Sequence, residues 1–206
     1  MKNFIFDVDR TLVDSYKHET ESLKEALHIV TNLNYSDEVI NKLTYLTTDE
    51  FFESIRIKKD SDTLKQINNY WTKLLKERKI FLFNGIKELL IYLKDNNYFI
   101  AIVTSRTKEE LNELDELIGI IKLFDVVITS DMVINPKPDP ESINLIIDKF
   151  NLKKEETIYI GDSQNDATAA KKASIYFGFA NWENKNYIYK YDYLLENVED
   201  VKKLLN

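Results

Sequence analysis

The sequence lacks several features that would point to particular protein classes. It contains no cysteine, which excludes disulfide bonds and thiolate metal sites and suits a reducing compartment. No apolar run approaches the ~20 residues needed to span a bilayer. No signal peptide is recognised, because the first apolar stretch is short and runs directly into acidic residues. Glycine is scarce, with four in the chain, so each is expected to mark a backbone requirement. We therefore expect a cytoplasmic protein with no membrane partner.

Length, composition and charge narrow the remaining classes. A chain of 206 residues fits one mid-sized domain, or a core that carries a modest insertion. With 44% hydrophobic and 12% aromatic residues, the chain can bury a core and does not have a disordered composition. A formal net charge of -7 argues against a nucleic-acid partner. Nothing in the sequence distinguishes a monomer from a homodimer.

The N-terminal stretch combines a buried strand with clustered acidic residues. An apolar run over residues 4–6 is typical of a parallel strand and is followed at once by Asp7 and Asp9. In open α/β sheets, ligands bind just beyond the carboxyl ends of the strands. Two neighbouring carboxylates repel each other, and a bound cation is the usual remedy. The stretch predicts a cation site at a strand end, with an acidic turn after an ordinary strand as the alternative.

The rest of the chain alternates between strand and helix patterns. Apolar runs predict further strands over residues 98–103, 124–129, 157–160 and 175–179, and a terminal helix over 198–205. Helical periodicity lies between these runs, with Thr107 and Glu110 forming a capping box. Such alternation predicts a doubly wound, mostly parallel sheet with helices on both faces.

The alternation is interrupted once, directly after the first strand. Residues 16–80 contain four helical patterns and no convincing strand, with helix-start signals at Ser36 and at residues 47–50. Leu43 continues the second helical pattern, whereas Phe51, Phe52 and Trp71 fit the core of the insert. We predict an inserted, all-helical domain over residues 16–80, and a sheet core made of residues 1–15 and 81–206. An insertion at this point would lie over the carboxyl edge of the sheet, as a lid.

Three later segments add polar groups that suit phosphate chemistry. Thr104 and Ser105 follow the second strand and offer hydroxyl groups beside a helix start, a natural anion site. Lys137 lies between two prolines in a segment expected to be rigid and extended, and it supplies a positive charge for phosphate oxygens. Asp162 and Asp166 follow the fourth predicted strand and can complete a site for a hard cation.

Four segments together resemble the motifs of the haloacid dehalogenase-like phosphohydrolases, and their order and spacing match. They are residues 7–12, 103–105, 137–140 and 161–166. The helical insert is similar to the α-helical cap of that family, and the whole resembles its phosphoglycolate phosphatase-like branch. The resemblance implies a Rossmann-like core with an inserted cap. It also implies Mg²⁺-dependent hydrolysis of a small phosphate ester. Phosphoglycolate, a sugar phosphate or a nucleotide would fit, and so would the anhydride pyrophosphate.

The resemblance also implies a role for each matching residue. Asp7 would be the nucleophile that forms an aspartyl-phosphate, and Asp9 the acid and base. Thr104 and Lys137 would complete the catalytic group. Mg²⁺ would be held by Asp7, the backbone carbonyl of Asp9, Asp162 and, directly or through water, Asp166. The phosphoryl group would be bound by Thr11, Thr104, Ser105 and Lys137.

Arg10 departs from the glycine that this branch usually carries. Its side chain either points away from the pocket while the backbone keeps its course, or adds a cation at the mouth of the cleft.

Three other functions are compatible with parts of this pattern. A phosphomutase similar to beta-phosphoglucomutase is the nearest, but its cap histidine position holds Glu19 here, with His18 one residue short. A haloacid dehalogenase is disfavoured, because its chemistry needs neither Asp9 nor a metal. A non-catalytic protein that binds phosphate or Mg²⁺ would be expected to have lost one of the key residues, yet Asp7, Asp9, Lys137 and Asp162 are all present.

Overall fold

The computed structural model describes residues 1–40, 42, 48–183 and 190–205. It consists of two compact units. Residues Met1–Asp14 and Phe81–Asn206 form the first, which we call the sheet unit, and Ser15–Ile80 form the second, the helical unit. Among the described residues, no helix is both long and apolar enough to cross a membrane.

The sheet unit is built on six parallel strands in the order β3-β2-β1-β4-β5-β6. The strands are β1 (Asn3–Phe6), β2 (Phe99–Val103), β3 (Val126–Ile128), β4 (Thr157–Gly161), β5 (Tyr176–Ala180) and β6 (Tyr193–Leu195). The helices of the chain are α1 (Ser15–Thr31), α2 (Asp37–Ile40), α3 (Thr48–Ser54), α4 (Asp62–Glu77), α5 (Ile86–Asp95), α6 (Lys108–Ile118), α7 (Glu141–Phe150) and α8 (Gln164–Ala173). Short 3₁₀ helices cover Ile121–Leu123, Ser130–Met132, Lys154–Glu156 and Val198–Leu204. The predicted α/β, doubly wound, Rossmann-like fold is confirmed.

Burial on both faces explains why the central strands are continuous apolar runs. Phe4, Ile5 and Phe6 are all buried. Ile5 joins the cluster that includes α7 and α8, whereas Phe4 and Phe6 stack on each other. Because successive side chains of a strand point to opposite faces, both faces of β1 require apolar residues.

The register of the central strands decides where the polar residues meet. Phe6 is paired with Ile102 of β2 on one side and with Ile160 of β4 on the other. The residues that follow these three positions therefore leave the sheet at the same edge. This edge receives the ends of β1, β2 and β4.

The structure differs from the sequence prediction in three places. Strand β6 was not predicted, because its three residues lie between Asp192 and Glu196 and do not belong to a longer apolar run. Residues 198–204 form a 3₁₀ helix rather than an α-helix. The segment around Lys137 is a turn instead of extended chain, since the Asp139 amide donates to the Pro136 carbonyl over 3.1 Å. The predicted capping box of α6, from Thr107 to Glu110, is confirmed.

The helical unit contains helices α1 to α4 around its own core. Phe51 and Phe52 are buried in that core and Trp71 packs against it, as predicted. Arg78 forms ion pairs with Glu21 and Glu25, and so connects the end of α4 to α1. The predicted helical position Leu43 and the helix-start residue Thr47 lie outside the described residues.

Candidate active site

Lys137 and Asp7 form a buried ion pair beyond the end of β1. The Nζ of Lys137 donates to Oδ1 of Asp7 over 2.7 Å, and the two side chains are 4% and 9% exposed. Asp7 follows β1 directly, and its amide donates to the carbonyl of Ile160 in β4 over 2.9 Å. The backbone hydrogen bond to β4 therefore fixes the position of Asp7, and the turn before α7 places Lys137 beside it.

The same ammonium group contacts two further oxygens. It donates to Oδ1 of Asp166 over 2.7 Å and to the hydroxyl of Tyr159 over 3.0 Å. An ammonium has three N–H groups, so these two contacts and the one to Asp7 use all of them. Burial lowers the pKa of Lys137, but the Asp7 carboxylate, Tyr159 and Asp166 outweigh this effect and hold the pKa well above its ordinary value. Lys137 is therefore a fixed positive charge.

Asp166 is anchored through both of its oxygens. Oδ1 accepts from Lys137, and Oδ2 accepts from the amide of Ser163 at 3.0 Å and from its hydroxyl at 2.6 Å. Gly161 makes room for this carboxyl group, because a Cβ at residue 161 would lie 2.6 Å from Cγ of Asp166. The sequence Gly-Asp-Ser at the end of β4 thus positions Asp166 at the start of α8.

Arg10 points toward the carboxylates, and the interpretation that it points away is wrong. Its Nε lies 3.3 Å from Oδ2 of Asp162, in an ion pair whose side chains are both largely buried. Arg10 has a φ of 59°, in the left-handed region where glycine is easiest to accommodate. The backbone therefore keeps the course that a glycine would take, and the side chain adds a cation at the cluster.

Asp9 has a cationic partner of its own. Its Oδ2 accepts from Nε of Arg106 over 2.8 Å, and its Oδ1 accepts from Nη2 over 2.6 Å. Both side chains are partly exposed. Asp9 is thus oriented differently from Asp7, which lies against the buried Lys137.

The predicted phosphate-binding residues occupy three different environments. Thr104 is buried at the end of β2, and its hydroxyl oxygen accepts from the amide of Arg106 over 3.1 Å. An accepting hydroxyl can still donate its own proton. Ser105 is exposed. Thr11 is fully buried, and its hydroxyl has no hydrogen-bond partner within the described part of the chain. A phosphate could reach the Thr11 side chain only if this turn opened.

Three buried carboxylates lie close enough together to hold one cation. Asp7, Asp162 and Asp166 each offer an oxygen, and these oxygens lie within 4.8 Å of one another. Oxygens on opposite sides of one Mg²⁺ are about 4 Å apart, so the cluster has nearly the right size. Burial raises the pKa of Asp7 well above its usual value, Lys137 opposes the rise, and the nearby carboxylates of Asp166, Asp162 and Asp9 add to it. A divalent cation would relieve that repulsion, and carboxylate oxygens suit it.

Most of the sequence matches one protein family. The sequence model of the haloacid dehalogenase-like hydrolase family matches residues 4–180. The chain belongs to the haloacid dehalogenase-like hydrolases. The resemblance noted in the sequence is therefore confirmed.

Two curated relatives of this hydrolase are named as phosphatases. It is 27% identical to the pyrophosphatase PpaX of Oceanobacillus iheyensis over 207 residues, which cover 98% of this chain and 95% of that protein. It is 28% identical to the phosphoglycolate phosphatase of Vibrio cholerae over 186 residues, which cover 85% of this chain and 82% of the relative.

Solved structures share the fold over the whole chain. A protein assigned as a phosphoglycolate phosphatase from Haemophilus somnus has a TM-score of 0.77 at 24% identity, covering 100% of this chain and 98% of the other. A protein assigned as a beta-phosphoglucomutase from Thermotoga maritima has a TM-score of 0.77 at 23% identity, covering 100% of both chains. The same fold thus occurs in a protein assigned as a phosphatase and in one assigned as a phosphomutase.

Tyr159 and Arg106 also contact the site of this hydrolase, although neither was predicted as a site residue from the sequence. Tyr159 lies in the middle of β4 and was interpreted as part of an apolar strand. Its hydroxyl group has one proton and can donate a hydrogen bond either to the Val103 carbonyl, at 2.9 Å, or to Oδ1 of Asp166, at 3.2 Å. The signal available was a hydroxyl-bearing aromatic residue between the two isoleucines of β4. Burial raises the pKa of Tyr159 well above its usual value, and Asp166 adds to the rise, so the phenol stays protonated.

Replacing Tyr159 with phenylalanine is expected to lower the free energy of unfolding by about 1–2 kcal/mol. The Val103 carbonyl loses this donor, and Lys137 loses one of its three acceptors. Because Lys137 is then held less firmly, kcat is expected to fall several-fold. Urea denaturation and steady-state kinetics measure the two effects. Tyr176→Phe, on the partly exposed Tyr176 of β5, is the matched control. A Tyr159→Phe variant as stable as this control would contradict the prediction.

Proposed function

We propose that this hydrolase is a Mg²⁺-dependent phosphatase that acts on a small phosphate ester through an aspartyl-phosphate on Asp7. The observation that carries the proposal is the buried Lys137, which joins Asp7 and Asp166 beside Asp162 at the edge where β1, β2 and β4 end. A structural turn would not require a buried lysine paired with two buried carboxylates and a third carboxylate beside them, since burying charges is costly.

In the first proposed step, an oxygen of Asp7 attacks the phosphorus atom as the bond to the leaving oxygen breaks. A carboxylate and a phosphate repel each other, and Lys137 offsets the repulsion from a fixed place. Lys137 contacts Oδ1 of Asp7, while Oδ2 accepts no hydrogen bond from the described residues and is available for attack.

In the same step, Asp9 gives a proton to the leaving oxygen. In the second step, a water molecule attacks the phosphorus atom and passes a proton to Asp9, and the bond between Asp7 and phosphorus breaks. Phosphate leaves, and both carboxyl groups return to their starting states.

The phosphoryl group would be held by Thr104 and Ser105 and by the charge of Lys137, which could donate to it only by giving up one of its three present contacts. Thr104 lies directly after β2, and its hydroxyl group, which accepts from the Arg106 amide, still has its own proton to donate to a phosphoryl oxygen. The role of Thr11 stays a prediction, because its side chain is fully buried.

The cation would be held by this chain through Asp7, the backbone carbonyl of Asp9, and Asp162. Asp166 would take part through water, because both of its oxygens already accept hydrogen bonds from side chains and an amide. When bound, Mg²⁺ would supply positive charge against which the anionic substrate can be attacked.

The helical unit would serve as a cap that selects the substrate. It is inserted between Asp14 and Phe81, directly after the segment that carries Asp7 and Asp9. Because the cap is inserted at this point, its sequence can differ between relatives without changing the catalytic residues. The named relatives support this, since pyrophosphate and phosphoglycolate are different substrates.

The proposal is tested by phosphate release from a panel of phosphate esters and one phosphoric anhydride, pyrophosphate, with Mg²⁺ or with EDTA. The panel contains p-nitrophenyl phosphate, phosphoglycolate, pyrophosphate and several sugar phosphates. We expect release that needs Mg²⁺, and the preferred ester begins to name the substrate. If no ester is hydrolysed, conversion of a sugar phosphate in the presence of a sugar bisphosphate would identify a phosphomutase. Its failure would leave a non-catalytic protein.

Replacing Asp162 with asparagine is expected to abolish stabilisation by Mg²⁺. An ion at a hundredfold excess over its Kd stabilises the folded state by about 2.7 kcal/mol, which is visible as a rise in melting temperature. Asp162→Asn removes one of the proposed ligands and should lose most of this rise. Asp95→Asn changes an exposed carboxylate of the sheet unit in the same way and should keep it. An undiminished rise in Asp162→Asn would place the ion elsewhere.

A further inference from the structure

Arg106 binds the Asp9 carboxyl group with both ends of its guanidinium fork. Nε and Nη2 donate to the two different oxygens, over 2.8 and 2.6 Å. This two-point contact fixes the plane of the carboxyl group as well as its distance, which a lysine could not do.

The backbone of Arg106 is itself held in place from several sides. Its amide donates to the hydroxyl of Thr104 over 3.1 Å, and its carbonyl accepts from the amide of Ser130 over 3.0 Å. The next residue, Thr107, is the N-cap of α6 and forms a capping box with Glu110. The guanidinium therefore extends from a rigid junction between β2 and α6.

The backbone around Asp9 is equally well determined, but its side chain is not. The turn is closed by hydrogen bonds from the amides of Leu12 and Val13 to the carbonyl of Val8, over 2.8 and 3.1 Å. The Asp9 side chain is 32% exposed, so packing alone does not select its direction. Arg106 supplies the missing constraint.

Exposure also argues that the pair serves something other than stability. Ion pairs that solvent can reach contribute little to folding, because water screens the charges and ordering long side chains costs entropy. A forked contact across 97 positions of sequence, at the residue proposed to move protons, fits a positional role better.

We propose that Arg106 is a positioning residue that aims the Asp9 carboxyl group at the leaving oxygen. This inference rests on the proposed function, since it concerns the proton that Asp9 gives as the bond to phosphorus breaks. Arg106 stays protonated throughout, and no proton passes through it. The proton that Asp9 gives and later regains sits on a lone pair of a carboxyl oxygen that the fork leaves unused. Its loss leaves Asp9 in place but lets the carboxyl group rotate away from the leaving oxygen.

The leaving group reports this role directly. Phenolate needs a proton as it departs far more than p-nitrophenolate does, whereas the two phosphate esters share the same ring and the same phosphoryl group. The ratio of kcat/KM for the two esters reports the step in which the leaving group departs, and it cancels general losses in folding or phosphate binding.

In Arg106→Gln, kcat/KM for phenyl phosphate is expected to fall by about 10- to 100-fold, a part of what general acid catalysis contributes. For p-nitrophenyl phosphate we expect a fall of only a few-fold. Arg106→Lys keeps the charge but not the fork, and is expected to recover little of the ratio. Lys122→Gln removes the same charge from an exposed residue of the sheet unit and should leave the ratio unchanged.

The alternative outcomes are distinct. Equal falls for both esters, or no fall, would overturn the positioning role while leaving the phosphatase intact. Full recovery in Arg106→Lys would show that charge alone matters, and would overturn the role of the fork. A wild-type protein inactive on both esters would overturn the proposed function, and the inference with it. A crystal structure of Arg106→Gln with the Asp9 carboxyl group unmoved would also count against it.

Discussion

Replacing Lys137 with methionine is expected to abolish phosphate release and to lower the free energy of unfolding by about 3–5 kcal/mol. Methionine has a similar length but no charge. The change leaves the buried carboxylates of Asp7 and Asp166 without the ammonium that contacts both of them. Removing one member of a buried ion pair costs more than the pair contributes, because the remaining charge stays out of water.

A second substitution separates the stability effect from the catalytic one. The double variant Lys137→Met with Asp166→Asn removes one of the two uncompensated carboxylates, so it is expected to regain part of the lost stability. It should regain no activity, since nothing then offsets the charge of Asp7 during the attack. Urea denaturation in EDTA and phosphate release with Mg²⁺ measure the two properties. If Lys137→Met were as stable as the wild type, Lys137 would not be the counter-charge of this cluster.

The positions of the site residues could be predicted because a parallel sheet brings strand ends together. Asp7, Thr104 and Asp162 follow three apolar runs, and the observed register of β1 with β2 and β4 places them at one edge. The strand boundaries alone determine which residues reach this edge, and long apolar runs mark those boundaries well. They do not determine which atoms of these residues are in contact.

The contacts within the site depended on details that the sequence pattern does not carry. Arg10 adopts a positive φ, and its side chain direction follows from that backbone, which no periodicity reveals. The Arg106 contact to Asp9 joins residues 97 positions apart through one side-chain conformation. Tyr159 satisfies the apolar pattern of β4 through its ring, so its hydroxyl group was not distinguished. In each case the missing information is the direction of a side chain at a known position.

Replacing Asp7 is expected to abolish activity without the loss of stability expected when Lys137 is replaced. Replacing Asp7 with asparagine should reduce phosphate release at least about 10⁴-fold, because the nucleophile is lost and the other site residues cannot replace it. Stability should be unchanged or higher. Burial raises the pKa of Asp7, and the Asp166, Asp162 and Asp9 carboxylates add to this, although Lys137 opposes the rise. The charge of Asp7 is therefore costly in the folded protein, and asparagine removes it at nearly constant volume while Lys137 stays paired with Asp166.

Comparing the two variants, by urea denaturation in EDTA and by phosphate release with Mg²⁺, tests whether this site is kept for catalysis at the expense of stability. Asp7→Asn and Lys137→Met should both be inactive, yet only Lys137→Met should unfold at a lower urea concentration. Asp95→Asn, an exposed change of the same type, controls for the substitution itself. Residual activity in Asp7→Asn near that of the wild type would rule out Asp7 as the nucleophile. A large loss of stability in Asp7→Asn would instead mean that its ion pair with Lys137 outweighs the repulsion among the carboxylates, and that the cluster supports the fold.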